Sequence, residues 1–299
     1  MEILILGGTR VFGPALIAKL YEKTAGSAQI TCFHRALHGG ADAFGQVKHI
    51  IGNRYDRQAV TSVFRERRDL VVDLSGTDEE MIRISMDCAQ DRCRRYVFVS
   101  SSSVYTVNKD TESKSAPSAH REDEPVCSGT GDAYALAKIK GEQLLRDRFP
   151  HFTVIRPSKV YGPGNYYFSE WSILQMLRER SVIELEGDPI LHFTYIDDLA
   201  EGICALLEKD GIFNVAGAEP ARLSRFISLI GELHGIRPQF VTGRHSNVPF
   251  SGLSDRVLDL SAAKKAAGWA PAVPLKEGLE KTFSGAGSYP VMSAQDRPQ

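Results

Sequence analysis

The sequence has no apolar run that approaches the roughly 20 residues a membrane-spanning helix needs. Its apolar N-terminal stretch is short and lacks both the basic residues and the small-residue cleavage site of a secretory signal peptide. Neither sign of charge is in excess, because 36 lysines and arginines face 37 aspartates and glutamates, for a net charge of -1. We therefore expect no membrane partner, no broad attraction to nucleic acid and a cytoplasmic location.

Cysteine is also scarce, with five residues in a chain of 299. They are Cys32, Cys88, Cys93, Cys127 and Cys204. An odd number at irregular spacing does not make a disulfide framework, and no two of them form the CxxC pair typical of zinc sites. The sequence therefore predicts free thiols and no metal site.

The first half of the chain alternates short apolar runs with helical patterns. The predicted strands are 2–6, 29–33, 48–51, 70–74, 95–100 and 152–155, and the predicted helices are 12–24, 56–67, 78–90 and 133–148. This alternation is typical of βαβ units on a parallel sheet, whose continuous apolar strands are buried on both faces. We predict an α/β fold, with a Rossmann-type doubly wound parallel sheet over residues 1–157.

The rhythm changes after Pro157, where predicted helices are separated by short strands and irregular turns. These helices are 171–180, 198–207, 223–234 and 261–268. We predict a smaller, mixed α+β substrate-binding part over residues 158–284, some of which returns to the first domain. Residues 106–130 are predicted to form a long polar loop, and residues 285–299 a disordered tail.

A glycine-rich turn follows the first predicted strand and leads directly into a helix. Its residues include Gly7, Thr9, Arg10, Val11, Phe12 and Gly13. Glycines at such a turn let the backbone approach a pyrophosphate, and the helix N-terminus offers unpaired N–H groups and a positive dipole end. In this context the turn predicts a dinucleotide site, although Arg10 stands where the G-x-x-G-x-x-G pattern has its middle glycine.

The second strand ends in His34 and Arg35, without the carboxylate that NAD-binding proteins usually place there for the ribose hydroxyls. A guanidinium at Arg35, aided by Arg10, suits the 2′-phosphate of NADP(H). The alternative is that both arginines are solvated surface charges. We therefore expect NADP as the preferred cofactor, with NAD as the alternative.

A serine cluster, Ser100 to Ser103, ends the fifth strand at the edge where ligands of open α/β sheets bind. Downstream, Tyr134 and Lys138 are four residues apart and share one helix face. The lysine ammonium favours the phenolate, so the tyrosine can exchange a proton with a substrate oxygen while a hydride moves. A serine hydroxyl beside that oxygen would orient it.

These motifs resemble an extended short-chain dehydrogenase/reductase of the NAD-dependent epimerase/dehydratase family. The resemblance rests on GGTRVFG, VFVSSSSVY, YALAK, RPSKVYGPGN, YIDDLA, FNVAG and AGWAP, spread over nearly the whole chain. It implies Ser101, Tyr134 and Lys138 as catalytic residues. It also implies further cofactor contacts at Ser75, Gly76, Ser100, Pro157 and Ser158, and substrate contacts at Ser102, Ser103, Tyr105 and Asn165.

The chain departs from the family pattern at several positions. Arg10 resembles the branch that contains the chloroplast stem-loop-binding proteins, but those tend to lack the Tyr-Lys pair that is kept here. Ser102 and Ser103 stand where the dehydratase subfamilies carry an Asp-Glu pair, which argues against 4,6-dehydration of a sugar nucleotide. The family's arginine for a nucleotide-sugar diphosphate has no clear counterpart, and Arg222, Arg244 and Arg256 are the candidates.

The leading hypothesis is an NAD(P)-dependent enzyme that transfers a hydride at a secondary alcohol or ketone of a sugar nucleotide or small biosynthetic intermediate. One alternative is a sugar-nucleotide epimerase that holds its cofactor tightly, and another is an RNA-binding protein on a dehydrogenase scaffold. The balanced charge disfavours RNA. We expect a homodimer. For Asp198, which opens a predicted helix after His192, an N-cap role is favoured over an acid–base site.

Overall fold

A computed structural model describes residues 1–36, 46–105, 118–127, 132–165, 170–180, 182–243, 246 and 248–284. In chain order, the strands of this part of the chain are β1 Glu2–Leu6, β2 Gln29–His34, β3 Lys48–Ile51, β4 Arg68–Asp73, β5 Cys93–Val99, β6 Phe152–Pro157, β7 Lys159–Tyr161, β8 Val182–Leu185, β9 Ile190–Tyr195, β10 Gly211–Val215, β11 Pro220–Arg222 and β12 Gln239–Thr242. The helices are α1 Gly13–Lys23, α2 Arg57–Val63, α3 Glu79–Ala89, α4 Ala133–Arg148, α5 Glu170–Glu179, α6 Ile196–Leu206, α7 Leu223–Leu233, α8 Ser261–Ala267 and α9 Leu275–Ser284.

Seven parallel strands form the central sheet, in the order β10-β6-β5-β4-β1-β2-β3. The chain builds outwards from β1 to β3, then crosses to the other side of β1 and continues with β4, β5 and β6. The order therefore reverses between β1 and β4, and ligands of such sheets bind in the crevice at the carboxyl ends of the strands at this point. The predicted doubly wound Rossmann-type sheet is confirmed.

Alternate residues of each strand enter two different cores, one on each face of the sheet. Ile3 and Ile5 pack with α1, α6 and α8, whereas Leu4 and Leu6 pack with α2, α3 and α4. Both faces are covered, which explains the continuous apolar strands. Strand β10 and helix α6 come from the second half of the chain, so that half completes the central sheet as well as forming a separate part.

The remaining elements form a third core beside the carboxyl edge of the sheet. Its strands are a three-stranded sheet, β11-β9-β7, and a parallel pair, β12-β8. Helices α5, α7 and α9 pack on them through apolar residues such as Leu174, Phe226 and Leu279. The sequence did not predict α9.

Helix α2 is shorter than the helix predicted over residues 56–67. It ends at Val63, and β4 already begins at Arg68. The buried guanidinium of Arg68 donates to the Val63 carbonyl oxygen from Nε at 3.2 Å and from NH2 at 3.0 Å. An arginine that satisfies the open carbonyls of a helix end stabilises the stop. Arg68, the residue directly after the predicted helix, therefore ends it early.

Parts of several predictions lie outside the described residues: most of the long loop, Arg244 and the tail from residue 285. Of the helices that are described, none combines the length and the apolar character needed to cross a membrane.

Candidate active site at the carboxyl ends of β1, β4 and β5

The turn after β1 is shaped by glycines. Gly7 and Gly8 have φ of +103° and +96°, a region that side-chain-bearing residues rarely adopt. At Gly13, a Cβ atom would lie 2.4 Å from the carbonyl oxygen of Gly8, so only glycine lets α1 begin against the turn. Phe12 is the N-cap of α1 and makes no side-chain capping bond. The helix therefore presents open N–H groups over a closely approachable backbone, which fits a pyrophosphate.

Two other residues of this turn depart from the simple glycine pattern. Val11 has φ of +54°, which is a strained conformation for a β-branched residue. Arg10 is half-buried, and its carbonyl oxygen accepts from the N–H of Gly13 at 2.9 Å. Thr9 is buried and donates from Oγ1 to the carbonyl oxygen of Ala36 at 3.4 Å, which ties the turn to the end of β2.

The end of β2 carries no carboxylate among residues 29–36, all of which are described. Arg35 is exposed there. His34 is buried, and its Nε2 lies 2.9 Å from Nδ1 of His49 on β3. A ring held between two strands is not open to a ribose, so Arg35 is the polar group of this strand end that a cofactor could meet.

The catalytic serine and tyrosine of the sequence analysis meet at the edge of the sheet. Ser101 follows β5, and its Oγ lies 3.1 Å from both the N–H and the Oγ of Ser103. Tyr134 lies in the first turn of α4, where the Asp132 carboxylate accepts from its N–H at 2.9 Å. Burial raises the pKa of the Tyr134 phenol, and a side-chain hydrogen bond with Ser101 opposes that rise. Tyr134 as a whole residue keeps 39% exposure, so substrate can reach it.

Lys138 lies one turn further along α4 and is only 2% exposed. Its Nζ donates to the Val99 carbonyl oxygen at 2.7 Å and lies 5.4 Å from the Tyr134 ring centroid. Burial lowers the pKa of Lys138 to about 8, and the nearby Asp73 carboxylate opposes this shift. The structure thus brings the three predicted catalytic residues together.

A buried ion pair that the sequence analysis missed lies beneath this site. The guanidinium of Arg54 makes two hydrogen bonds with the Asp73 carboxylate, at 2.8 and 2.7 Å. It also donates to the hydroxyls of Ser75, at 2.9 Å, and Ser85, at 2.8 Å. Tyr96 donates to the same carboxylate at 3.0 Å. The sequence did contain one indication of this ion pair, which is Asp73 itself, because a carboxylate within an apolar strand needs a buried partner.

This ion pair shapes the wall between β4 and the glycine turn. Ser75 donates from Oγ to the carbonyl oxygen of Leu6 at 3.0 Å, and a Cβ at Gly7 would lie 2.9 Å from that Oγ. The N–H of Gly76 donates to the Asp73 carboxylate at 3.0 Å. Ser75 and Gly76 therefore line the turn, next to the place where the resemblance puts a cofactor.

Ser100, which the resemblance assigned to the cofactor, faces the interior. Its hydroxyl donates to Glu142 at 2.6 Å. The Arg156 guanidinium binds the same carboxylate at 2.9 and 2.6 Å, and both charged side chains are 1% exposed. The hydroxyl of Ser100 is thus part of a buried ion pair, and a cofactor contact through it is not supported.

Three of the four predicted substrate residues are also buried. Tyr105 is 1% exposed, donates to Asn214 at 2.6 Å and stacks on His120, so we replace its predicted substrate contact with a packing role. Asn165 donates from Nδ2 to the Val160 carbonyl oxygen at 3.0 Å and is 2% exposed, as is Ser102. Burial leaves these three side chains little surface for a direct substrate contact. Ser103 is half-buried and lies beside Ser101.

The end of β6 supports the neighbouring strands. Pro157 is paired with Val215 of β10, and the N–H of Ser158 donates to the Val215 carbonyl oxygen at 3.1 Å. The hydroxyl of Ser158 donates to the carbonyl oxygen of His192. Ser158 therefore joins the central sheet to β9, and its predicted cofactor contact through the hydroxyl is not supported.

Asp198 does not cap α6, because Tyr195 is the N-cap and Asp198 lies within the first turn. Its carboxylate instead accepts from the N–H groups of Ala272 and Val273, at 2.9 and 3.1 Å. Asp198 therefore holds the chain between α8 and α9, and the predicted N-cap is wrong. Within the described residues, no group of three or more His, Cys, Asp and Glu side chains could hold a metal ion.

Comparison with known proteins agrees with this architecture. The model of the NAD dependent epimerase/dehydratase family matches residues 3–216. The chain is 26% identical to the chloroplast stem-loop binding protein of 41 kDa b from Arabidopsis thaliana, over 95% of this chain and 78% of that protein. It is 31% identical to UDP-glucuronate 4-epimerase from Thermodesulfobacterium geofontis, over 50% of this chain and 49% of that one.

A solved structure shares the fold over nearly its whole length. UDP-glucuronic acid 4-epimerase from Bacillus cereus, in complex with UDP-glucuronic acid and NAD, matches with a TM-score of 0.76 and 20% identity, covering 95% of this chain and 98% of that one. The family match extends from β1 through β10 and includes the glycine turn, the serine cluster and the Tyr-Lys pair. The chain therefore belongs to the NAD dependent epimerase/dehydratase family.

Proposed function

We propose that this protein is an NAD(P)-dependent oxidoreductase that transfers a hydride at a secondary alcohol or ketone of a nucleotide sugar or a small biosynthetic intermediate. The observation that carries the proposal is the placement of Ser101, Tyr134 and Lys138 at one edge of the sheet, beside the glycine turn. Family relatives named as nucleotide-sugar epimerases support the substrate class.

The residues divide the chemistry between them. Gly7, Gly8 and Gly13 would hold the cofactor pyrophosphate against the N-terminus of α1. When bound, the nicotinamide supplies or accepts the hydride. Tyr134 exchanges a proton with the substrate oxygen, and Ser101 hydrogen-bonds that oxygen and the phenol.

Lys138 acts on Tyr134 through its charge. The phenolate is the form that accepts a proton from a substrate hydroxyl, and burial makes that anion harder to form. A nearby ammonium lowers the cost of the anion. The same residues serve oxidation and reduction, since the proton follows the opposite route in each direction.

We further propose that the phosphorylated cofactor is preferred. Arg35 is exposed at the end of β2, and the described residues of this strand end carry no carboxylate to repel a 2′-phosphate. The solved structure named above contains NAD, so the argument for NADP rests on Arg35 and on the missing carboxylate.

Between net reduction and epimerisation we favour net reduction. An epimerase regenerates its cofactor in place, whereas a reductase must exchange it at each turnover. Arg10 replaces the middle glycine of the turn, and the strained Val11 follows it. The bulk of Arg10 keeps a pyrophosphate further from the backbone, which weakens the binding of the cofactor.

The test is to purify the protein without added cofactor, denature it and quantify the dinucleotide released. A net reductase predicts recovery far below one equivalent. Recovery near one equivalent, together with interconversion of a nucleotide sugar without added cofactor, would contradict net reduction and identify an epimerase.

A second candidate function is RNA binding, which the 26% identity to a chloroplast stem-loop binding protein favours. The balanced charge argues against it, because phosphate contacts need an excess of basic side chains. Titration of a labelled RNA stem-loop at low and moderate salt separates the two. Weak binding that moderate salt abolishes supports the enzyme, and tight binding that survives it supports the RNA-binding function.

A further inference from the structure

The peptide bond that opens the glycine turn, between Leu6 and Gly7, is held on both sides. The carbonyl oxygen of Leu6 accepts from the Oγ of Ser75 at 3.0 Å and from the N–H of Leu74 at 3.1 Å. The N–H of Gly7 donates to the carbonyl oxygen of Phe33 on β2 at 2.8 Å. The first peptide of the turn is therefore fixed both by the segment after β4 and by β2.

The hydroxyl of Ser75 is in turn oriented by the guanidinium of Arg54. The Oγ of Ser75 accepts from Nη1 of Arg54 at 2.9 Å while it donates to Leu6. A serine hydroxyl has one proton and rotates to suit its neighbours, so a donor on one side directs that proton to the other. The two bonds thus form a relay from the guanidinium to the turn. Arg54 is only 4% exposed, which leaves it no surface with which to contact a cofactor itself.

The Asp73 carboxylate fixes the main chain of the same segment. One of its oxygens accepts from the N–H groups of Ser75 and Gly76, at 3.2 and 3.0 Å. That oxygen also accepts from Nη1 of Arg54, and the other oxygen accepts from Nη2 of Arg54 and from the hydroxyl of Tyr96. The ion pair therefore holds both the side chain and the backbone of Ser75.

Stability alone does not account for two buried charges at this position. The removal of each charge from water is costly, and a well-packed apolar pair of similar volume is often as stable or more stable. An apolar pair could not bind the hydroxyl and the two N–H groups of this segment, which would lose their partners. The ion pair adds a fixed position for Ser75 beside Gly7, where a Cβ atom would lie 2.9 Å from the serine Oγ.

We propose that Arg54 is a positioning residue for cofactor binding, which sets the affinity for the dinucleotide through the relay from its guanidinium by way of Ser75 to Leu6. The inference rests on the proposed function for the identity of the ligand, but it is tested by binding alone. The groups of a binding site must be held to within about 0.5 Å of their productive geometry. A loosened first peptide therefore weakens the contacts of the whole turn.

The relay is tested by fluorescence titration of the full chain with NADH and with NADPH. Ser75→Ala removes the middle of the relay, and Arg54→Lys keeps a charge beside Asp73 but lacks the fork that also reaches Ser75. The third variant combines both changes. Ser85→Ala is the matched control, because Ser85 on α3 accepts from the same guanidinium at 2.8 Å but donates to the carbonyl oxygen of Met81 instead of the turn. Circular dichroism and urea unfolding check that each variant is folded.

We expect Ser75→Ala and Arg54→Lys each to raise the Kd of both cofactors by about 10-fold. The double variant should bind no more weakly than the weaker single variant, because both changes break one relay. Ser85→Ala should keep the wild-type Kd, although it loses a hydrogen bond to the same guanidinium. A merely structural role of Arg54 would lower the free energy of unfolding in these variants and leave the Kd of the folded protein unchanged.

Wild-type Kd values in Arg54→Lys would overturn the proposal. Losses that add in the double variant would also overturn it, because Ser75 would then contact the cofactor independently of Arg54. So would equal weakening in Ser75→Ala and Ser85→Ala, or a wild type that binds neither cofactor. Coupled shifts in Kd without turnover of any substrate would support the relay and contradict only the proposed hydride transfer.

Discussion

Lys138 donates from Nζ to the carbonyl oxygen of Val99 at 2.7 Å, which fixes the ammonium at the end of β5. The main-chain bond holds the side chain in place whether or not substrate is present. Because the site is buried, the ammonium carries a desolvation cost that the Asp73 carboxylate offsets only in part. The protein therefore gives up stability to keep a charge beside Tyr134.

We predict that Lys138→Met stabilises the cofactor-free protein at pH 7. The folded-state pKa of Lys138 is about 8, below the ordinary value of 10.5. The cost of burying the charge is therefore fully present below pH 8 and disappears as the pH rises from about 8 to 10.5. After the loss of the Val99 hydrogen bond, the variant should gain about 1–3 kcal/mol in the free energy of unfolding at pH 7.

Urea unfolding of wild type and variant at pH 7 and pH 10 checks this prediction. The gain should shrink at the higher pH. Lys140→Met on the same helix is the control, because Lys140 is half exposed in a surface ion pair with Glu79 and its loss should change stability by less than about 1 kcal/mol. A destabilised Lys138→Met, or a gain that grows with pH, would refute the assignment.

A second prediction concerns the buried pair of Arg54 and Asp73. Removal of one partner leaves an uncompensated buried charge, so Arg54→Met and Asp73→Asn should each destabilise by about 3–5 kcal/mol. The double variant should lose far less than the sum, since it leaves neither charge behind. Chemical denaturation of the four proteins gives the coupling energy.

The exposed pair of Arg94 and Glu208 provides the control for this cycle. Its side chains are 45% and 52% exposed, so Arg94→Met should cost less than about 1 kcal/mol. Additive losses in the Arg54 and Asp73 cycle would mean that the two side chains do not act as a pair.

The sequence predicted the central sheet well, because its signal is local. Apolar strands, helix periodicity and the glycine turn each lie within one short segment, and they predicted β1 to β6 and α1 to α4 with boundary shifts of a few residues. The exception, α2, ends early because Arg68 binds the carbonyl oxygen of Val63.

Long-range partners could not be predicted in the same way. Arg54 follows β3, whereas Asp73 is the last residue of β4. Only the folding of the sheet brings the Arg54 guanidinium against the Asp73 carboxylate. Asp198 has the sequence signature of an N-cap but binds the chain 74 residues further on. Tyr105 directly follows the serine cluster in sequence, yet its hydroxyl donates to the side chain of Asn214 on β10.

We predict that the protein binds NADPH more tightly than NADH, and that Arg35→Ala removes most of this preference. A guanidinium gains a charge-assisted contact with the 2′-phosphate, which NADH lacks. Fluorescence titration of both cofactors measures the ratio. Arg65→Ala, which removes an exposed arginine just after α2, is the control and should keep the wild-type ratio. Equal affinities in wild type, or an unchanged ratio in Arg35→Ala, would contradict the role of Arg35.

The central claim, that Tyr134 moves the proton during hydride transfer, is tested most directly by the turnover of Tyr134→Phe. Wild type is first screened for NAD(P)(H) oxidation or reduction with UDP-glucose, UDP-glucuronic acid and ketosugar nucleotides, and the variant is then assayed on the best substrate. Tyr21→Phe, on α1 in the first core, is the matched control. We predict a loss of kcat of about 100- to 10,000-fold in Tyr134→Phe, with cofactor affinity within a few-fold of wild type. Wild-type kcat in Tyr134→Phe would contradict the account.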